Sequence, residues 1–149
     1  MNVGELCNRD VVCAEGQASA AEIAKLMREY HVGSIVITKT QKTVRKPVGI
    51  VTDRDIVTEL VAKGVSADTC TASDIMNLDL TAVNAKEDVY SCLETMRSKG
   101  IRRMPVIDDQ GALVGIVTAD DVLDFIREQL SEVVALIYRE QENEKRRRH

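Results

Sequence analysis

The chain has no tryptophan, and its aromatic side chains are three tyrosines and one phenylalanine. Any core must therefore be built from Val, Ile, Leu, Met and Ala. Basic charge is not in excess either: 20 Lys and Arg stand against 24 Asp and Glu, a formal net charge of -4. A general nucleic-acid binder presents a net basic footprint, so that class is excluded as an expectation. No apolar run approaches the roughly 18 residues that span a bilayer. Met1-Asn2-Val3-Gly4-Glu5-Leu6 lacks the cationic start and apolar stretch of a secretory signal. The expectation is a soluble, cytoplasmic protein without membrane contact. Cys7, Cys13, Cys70 and Cys92 form no Cys-x-x-Cys pair, and His31 and His149 stand apart from them. No metal site is expected, and the thiols read as small hydrophobes. No Gly-x-x-x-x-Gly-Lys-Ser/Thr or Gly-x-Gly-x-x-Gly loop occurs, and no base is placed beside a nucleophile, so no catalytic machinery is expected.

Hydrophobic residues nevertheless make up 44% of the 149 positions, enough for a real core. They are arranged twice. Val48-Gly49-Ile50-Val51-Thr52-Asp53-Arg54-Asp55 recurs as Val114-Gly115-Ile116-Val117-Thr118-Ala119-Asp120-Asp121, and Leu26-Met27-Arg28 recurs as Thr95-Met96-Arg97. Glu5 to Val11 likewise matches Asp74 to Leu80. The offset is 69 residues at Met27/Met96 and 66 at Asp55/Asp121, so three extra residues lie between Thr38 and Pro47. That stretch, Lys39 to Lys46, is polar and cationic and reads as a hairpin tip. Its counterpart Asp108-Asp109-Gln110-Gly111 is a shorter turn.

Each copy predicts the same elements. A short strand falls at Val11-Val12 and at Leu80-Thr81. Ala20, Ile23, Ala24, Met27 and Tyr30 keep helical spacing behind a Ser19 cap, as do Val89, Cys92, Leu93 and Met96 after Asp88. β-Branched runs follow at Ser34–Ile37 and Met104–Ile107, then at Val48–Val51 and Val114–Val117, near-continuous enough to be buried on both faces. A closing helix begins near Asp53 or Ala119. The unit is strand, helix, strand, strand, helix, and one copy of about 60 residues buries too little surface to be comfortable alone. Two copies are expected to pack through their sheets and share one core.

This order of elements, with Gly49–Asp55, Gly115–Asp121, Gly100–Asp108 and Asp74-Ile75-Met76, resembles the cystathionine-β-synthase-type (CBS) repeat. The pair resembles a Bateman module, over about Val3 to Arg127. The resemblance implies an α+β fold of two βαββα repeats, 1–66 and 67–130, packed through their sheets with a pseudo-two-fold axis. A helical extension with a charged tail would occupy 131–149. It also implies a regulatory ligand, an adenine nucleotide such as AMP, ADP or ATP, with NAD or S-adenosylmethionine as further possibilities, and an unknown downstream protein that the module regulates.

Thr52/Asp55 and Thr118/Asp121 stand where a strand gives way to a helix, which invites two readings. Ser/Thr-x-x-Asp/Glu is the capping-box pattern, and duplication copies a cap as faithfully as a binding site. From spacing alone the cap is the simpler reading. In nucleotide-binding relatives of the resembled family the Thr hydroxyl donates to phosphate and the Asp accepts from ribose hydroxyls, which favours a ligand site in at least one repeat. The copies differ: Arg54 stands between Thr52 and Asp55, whereas Asp120 stands beside Asp121 and would repel a polyphosphate. Arg102 and Arg103 occupy the positions that are Gly33 and Ser34 in the first copy. The better site is therefore expected on Thr52, Arg54 and Asp55, helped by Arg102 or Arg103. Adenine would lie against Cys13-Ala14 and Ser34-Ile35, or against Ala82-Val83 and Met104-Pro105 in a second site.

Val122, Phe125, Ile126, Leu130, Val133, Val134 and Ile137 carry an apolar stripe beyond what a repeat needs. Such strips mark partner surfaces, and a homodimer is expected; the alternative is that the strip packs back on its own repeat or on the N-terminal segment. Lys145 to Arg148 read as a solvated tail. Two functions remain in view: a nucleotide-responsive regulatory module, and a nucleotide-independent interaction scaffold in which both Thr-x-x-Asp pairs are only caps.

Overall fold

Side-chain caps set the helix starts in each half of the chain. Ser19 accepts the Glu22 amide while Glu22 answers at the Ser19 amide, and Asp88 accepts the Tyr90 amide. The helices that follow, α2 (Ala20–Tyr30) and α5 (Val89–Lys99), are of equal length and end in the left-handed conformation, at His31 (φ 54°) and Gly100 (φ 65°). The computed structural model describes residues 1–148. His149, weighed above with His31 as a metal ligand, lies outside the described residues.

The remaining elements fall into two matching sets. The first holds α1 (Val3–Leu6), β1 (Cys13–Glu15), β2 (Ser34–Gln41), β3 (Val44–Thr52) and α3 (Asp53–Ile56), which runs on as a π-helical turn over Val57–Val61. The second holds α4 (Ala72–Ile75), β4 (Val83–Asn84), β5 (Arg103–Ile107), β6 (Leu113–Thr118) and α6 (Ala119–Arg148). In each, a parallel pair and an antiparallel pair give a three-stranded sheet, β1-β2-β3 and β4-β5-β6. The first strand of each unit begins a residue or more beyond the expected positions, at Cys13 and Val83. The cationic stretch between Thr38 and Pro47 is mostly strand: β2 and β3 stay paired from Thr38/Pro47 to Gln41/Val44, and only Lys42 and Thr43 turn, both at positive φ. A two-residue tip of this conformation matches the right-handed twist of the strands it joins.

Periodicity did not reveal where the leading helices go. α1 opens the first repeat but packs on the second: Val3, wholly buried, sits with Val83, Val89, Cys92 and Met96, and the Val3 and Gly4 amides donate to the Glu87 and Ala85 carbonyls at 2.8 Å. α4 returns the exchange. Ala72 is buried among Ile23, Ile35, Ile37 and Val51, and the Ala72 and Ser73 amides donate to Ala18 and Gly16. A third, smaller cluster of Val36, Ile50 and Leu113 joins the two sheets. The single shared core expected from the sequence is thus two repeat cores and a bridge. The exchange holds the halves together, because neither core is complete without a helix from the other half.

Cys92, with no exposed surface, lies within the second core. Burial pushes its thiol up to about 11, and Glu87 adds to the rise. The neutral thiol is thus favoured by folding. That contribution is intact below the ordinary thiol range near 9 and is lost as pH rises towards 11, where only the unfolded chain first ionises. It amounts to about 3 kcal/mol. Urea unfolding from pH 8 to about pH 10.5 should show Cys92→Ala losing stability less steeply than the parent. Equal slopes would show that this thiol does not report on the core.

Candidate functional site

β3 ends at Thr52 and α3 starts at Asp53, which puts the first Thr-x-x-Asp pair at the edge of its sheet. The Asp55 amide donates to Thr52 Oγ1 at 3.2 Å and the Thr52 amide donates to Asp55 Oδ2 at 2.8 Å. Thr118 and Asp121 repeat both bonds, at 3.1 and 2.9 Å. Both pairs are therefore complete capping boxes. The cap leaves part of each group free. Thr52 uses its hydroxyl oxygen as acceptor and keeps its O–H to donate, and Asp55 Oδ1 has no hydrogen-bond partner among the described residues.

What surrounds the two pairs differs. Thr52, Arg54 and Asp55 border a cavity of about 440 Å³ whose far side comes from the other repeat. Arg102, Arg103, Asn77, Asp79 and Thr81 line it from the second repeat, Asp53 adds a carboxylate from the first, and Ile50, Leu80 and Ile101 give its apolar surface. Lys99, outside the lining, donates to the Thr81 hydroxyl at 3.1 Å. Pockets of 300–1,000 Å³ with a few convergent polar groups are the usual size for a small organic ligand.

At the second pair, Asp120 meets Arg102 at 3.5 Å, which brings this arginine between the two motifs. Asp121 borders a smaller hollow of about 280 Å³ with Glu5, Asp124 and Glu128. Four carboxylates around one hollow oppose an anionic ligand.

The structure thus brings Thr52, Arg54, Asp55, Arg102 and Arg103 to one cavity. It places the other candidates elsewhere. Ile35, Val83 and Met104 are buried in the cores, and Pro105 is buried within β5. Cys13 packs against the bridge between the sheets and Ala14 against the first core. Ser34 pairs with Thr52 across the ladder, and Ala82 precedes β4; neither lines the cavity. Leu80, Thr81 and Ile101, not singled out by sequence reasoning, do line it. No signal in the sequence marked them, because the offset aligns the two copies without saying which residues face each other across them.

A family model described as CBS domain matches the chain twice, over residues 3–62 and 72–128. An uncharacterized protein of Methanopyrus kandleri is 41% identical over 123 residues, covering 83% of this chain; the aligned part spans 61% of that relative's length. The CBS domain protein PAE2072 from Pyrobaculum aerophilum, solved in complex with AMP, superposes with a TM-score of 0.72 at 30% identity, covering 81% of this chain and 89% of that one. The CBS domain pair of protein MJ0100, solved with 5-methylthioadenosine and S-adenosyl-L-methionine, gives a TM-score of 0.74 at 25% identity, covering 87% and 98%. Two matches in tandem, each falling on one of two repeats that exchange their leading helices, identify the chain as a member of the CBS domain family, built as a CBS pair.

Proposed function

We propose that the cavity at Thr52 and Asp55 binds an adenine nucleotide, and that its occupancy regulates a partner protein. One observation carries the reading: a free hydroxyl donor, a free carboxylate oxygen and three arginines from two repeats converge on one cavity of about 440 Å³. Asp55 Oδ1 accepts from the ribose hydroxyls. The Thr52 hydroxyl donates to a phosphate oxygen, and Arg54 with Arg102 or Arg103 supplies charge-assisted bonds to the same group. The base lies on Ile50, Leu80 and Ile101, held by aliphatic contact because the cavity has no aromatic wall. Adenosyl ligands in the complexes of PAE2072 and MJ0100 support this choice of class. The second motif, whose Thr118 and Asp121 hold both capping bonds and whose Asp120 is paired with Arg102, acts as a helix cap. The module carries no reaction of its own, and the ligand shifts the equilibrium between states of the pair only by its difference in affinity for them.

Thermal unfolding with AMP, ADP, ATP, NAD and S-adenosylmethionine, each near millimolar, tests this. A ligand at about 100 times its Kd stabilises by about 2.7 kcal/mol, or roughly 5–10 °C for a chain of this size. A shift of that order with one compound is expected. No shift with any of them, from nucleotide-free protein, would leave a protein-interaction scaffold in which both Thr-x-x-Asp pairs serve only as caps.

A further inference from the structure

The first repeat carries something the second does without. Between Thr38 and Pro47 it extends β2 and β3 into a two-stranded ribbon, where the second repeat closes over Asp108 to Gly111. The ribbon holds Lys39, Lys42, Arg45 and Lys46 and no acidic residue. Lys39, Lys42 and Arg45 are exposed, and Lys46 is half-buried, its stem running past Gly111 of the second repeat. None of the four forms an ion pair among the described residues.

Two features of the ribbon work against its own stability. Lys39 stands directly opposite Lys46 in the ladder, and like charges so placed repel. The turn is Lys42-Thr43, at φ 50° and 72°. A two-residue tip with both φ positive favours Asn-Gly, and β-branched residues such as threonine tolerate that conformation least. A hairpin kept only to join two strands needs neither feature. What they achieve is four cations held together on a paired, exposed arm, an arrangement that suits an anionic partner.

We propose that the β2–β3 ribbon docks a carboxylate-rich segment of another protein. The chain's net charge of -4 includes these four cations, so the rest of the molecule is more acidic still and repels a long polyanion. A short acidic peptide meets only the ribbon. A nucleic acid would also find no base-stacking platform, since the ribbon has no aromatic side chain. Beside Lys39 and Thr40, where β1 stops at Glu15, a hollow of about 720 Å³ is lined in part by Val48 and Met76. It offers an apolar seat to an aliphatic side chain of the same segment. The ribbon lies about 20 Å along β3 from Thr52, so docking does not depend on what the cavity there binds.

Fluorescence anisotropy with the labelled peptide Glu-Asp-Glu-Leu-Asp-Glu, at about 50 mM salt, tests the assignment. A Kd of about 10–100 μM is expected, and the same peptide with Gln and Asn for its acids should not bind. K39Q/K42Q/R45Q/K46Q should unfold no lower than the parent, because the four cations have no ion-pair partners to lose, and should bind about tenfold more weakly or worse. R146Q/R147Q/R148Q, which neutralises the other basic cluster, should change the affinity by less than about twofold. K42N/T43G should unfold about 2–4 °C higher yet bind about threefold more weakly, so stability and binding move in opposite directions. No binding at millimolar peptide, or equal affinity in K39Q/K42Q/R45Q/K46Q, would overturn the docking surface. Tighter binding of an oligothymidine of equal length, lost in that same variant, would overturn the acidic protein as its occupant in favour of a nucleic acid.

Discussion

In Asp55→Ala, affinity for AMP is expected to fall by about a hundredfold or more while the protein stays folded. Asp55 Oδ1 is the free acceptor at the cavity edge, and two bonds from ribose hydroxyls to a carboxylate are worth about 1.5–3 kcal/mol each. Losing both, with no substitute acceptor on Ala, costs two or more factors of ten in Kd. The same change removes half of a capping box, leaving the Thr52 amide without the Oδ2 acceptor 2.8 Å away. That costs about 1 kcal/mol of stability, so the unfolding temperature should fall by roughly 2–4 °C.

The twin position separates cap from ligand contact. Asp121→Ala also loses a capping acceptor, the one its Thr118 amide reaches at 2.9 Å. Its hollow is crowded with carboxylates, so removing one also relieves repulsion, and the fall in stability should be no larger. Affinity for AMP should not change. Isothermal titration of both variants decides the matter. Equal affinity in parent and Asp55→Ala would show that Asp55 is only a cap.

The duplication was legible because a repeat needs no physics to be seen, and the long helices because burial of one face imposes a period of 3.6. The cationic stretch Lys39 to Lys46 misled for a physical reason. Beyond Thr38 every residue of β2 is exposed, so these residues are free to be polar and carry no period-two pattern. Thr52, Arg54, Asp55, Arg102 and Arg103 were legible as one group, from charge differences between aligned copies. The cavity floor was not. Leu80 and Ile101 are spread along the second repeat, and only the crossing of the halves brings them opposite Thr52. The exchange of α1 and α4 was hidden for the same reason. A four-residue helix is too short to show a period, and its partner lies about 80 residues away, at Ala85 and Glu87.

That exchange assigns a second role to the glycines of the repeated motif, and unequal costs to removing them. At Gly115 a methyl group would stand 2.6 Å from Cys7 Sγ and 2.8 Å from the Asn8 carbonyl oxygen. At Gly49 the corresponding methyl would meet Met76, at 2.6 Å from Sδ and 2.9 Å from Cγ. Met76 is a flexible side chain that can swing aside; the Asn8 backbone cannot. It is tied to β6 by two bonds, Asn8 amide to Ile116 carbonyl and Ile116 amide to Asn8 carbonyl, both 2.9 Å, whereas the first repeat has one such bond, from the Asn77 amide to Ile50 at 3.1 Å. Gly115→Ala must therefore push the segment after α1 off the sheet, straining or breaking both bonds and loosening Val3 in the core. Overpacking and two weakened backbone hydrogen bonds together cost about 3 kcal/mol. Gly49→Ala should cost about 1 kcal/mol, part of it offset by the stiffer unfolded chain. Calorimetry should accordingly place Gly115→Ala about 6–12 °C below the parent and Gly49→Ala within roughly 4 °C of it. Adding Cys7→Ala to Gly115→Ala removes the sulfur clash but leaves the carbonyl clash, so it should restore only part of the loss. Full restoration would show that the thiol, and not the crossing backbone, sets the need for glycine. Equal losses at the two glycines would mean that the crossing segments are equally free to give way.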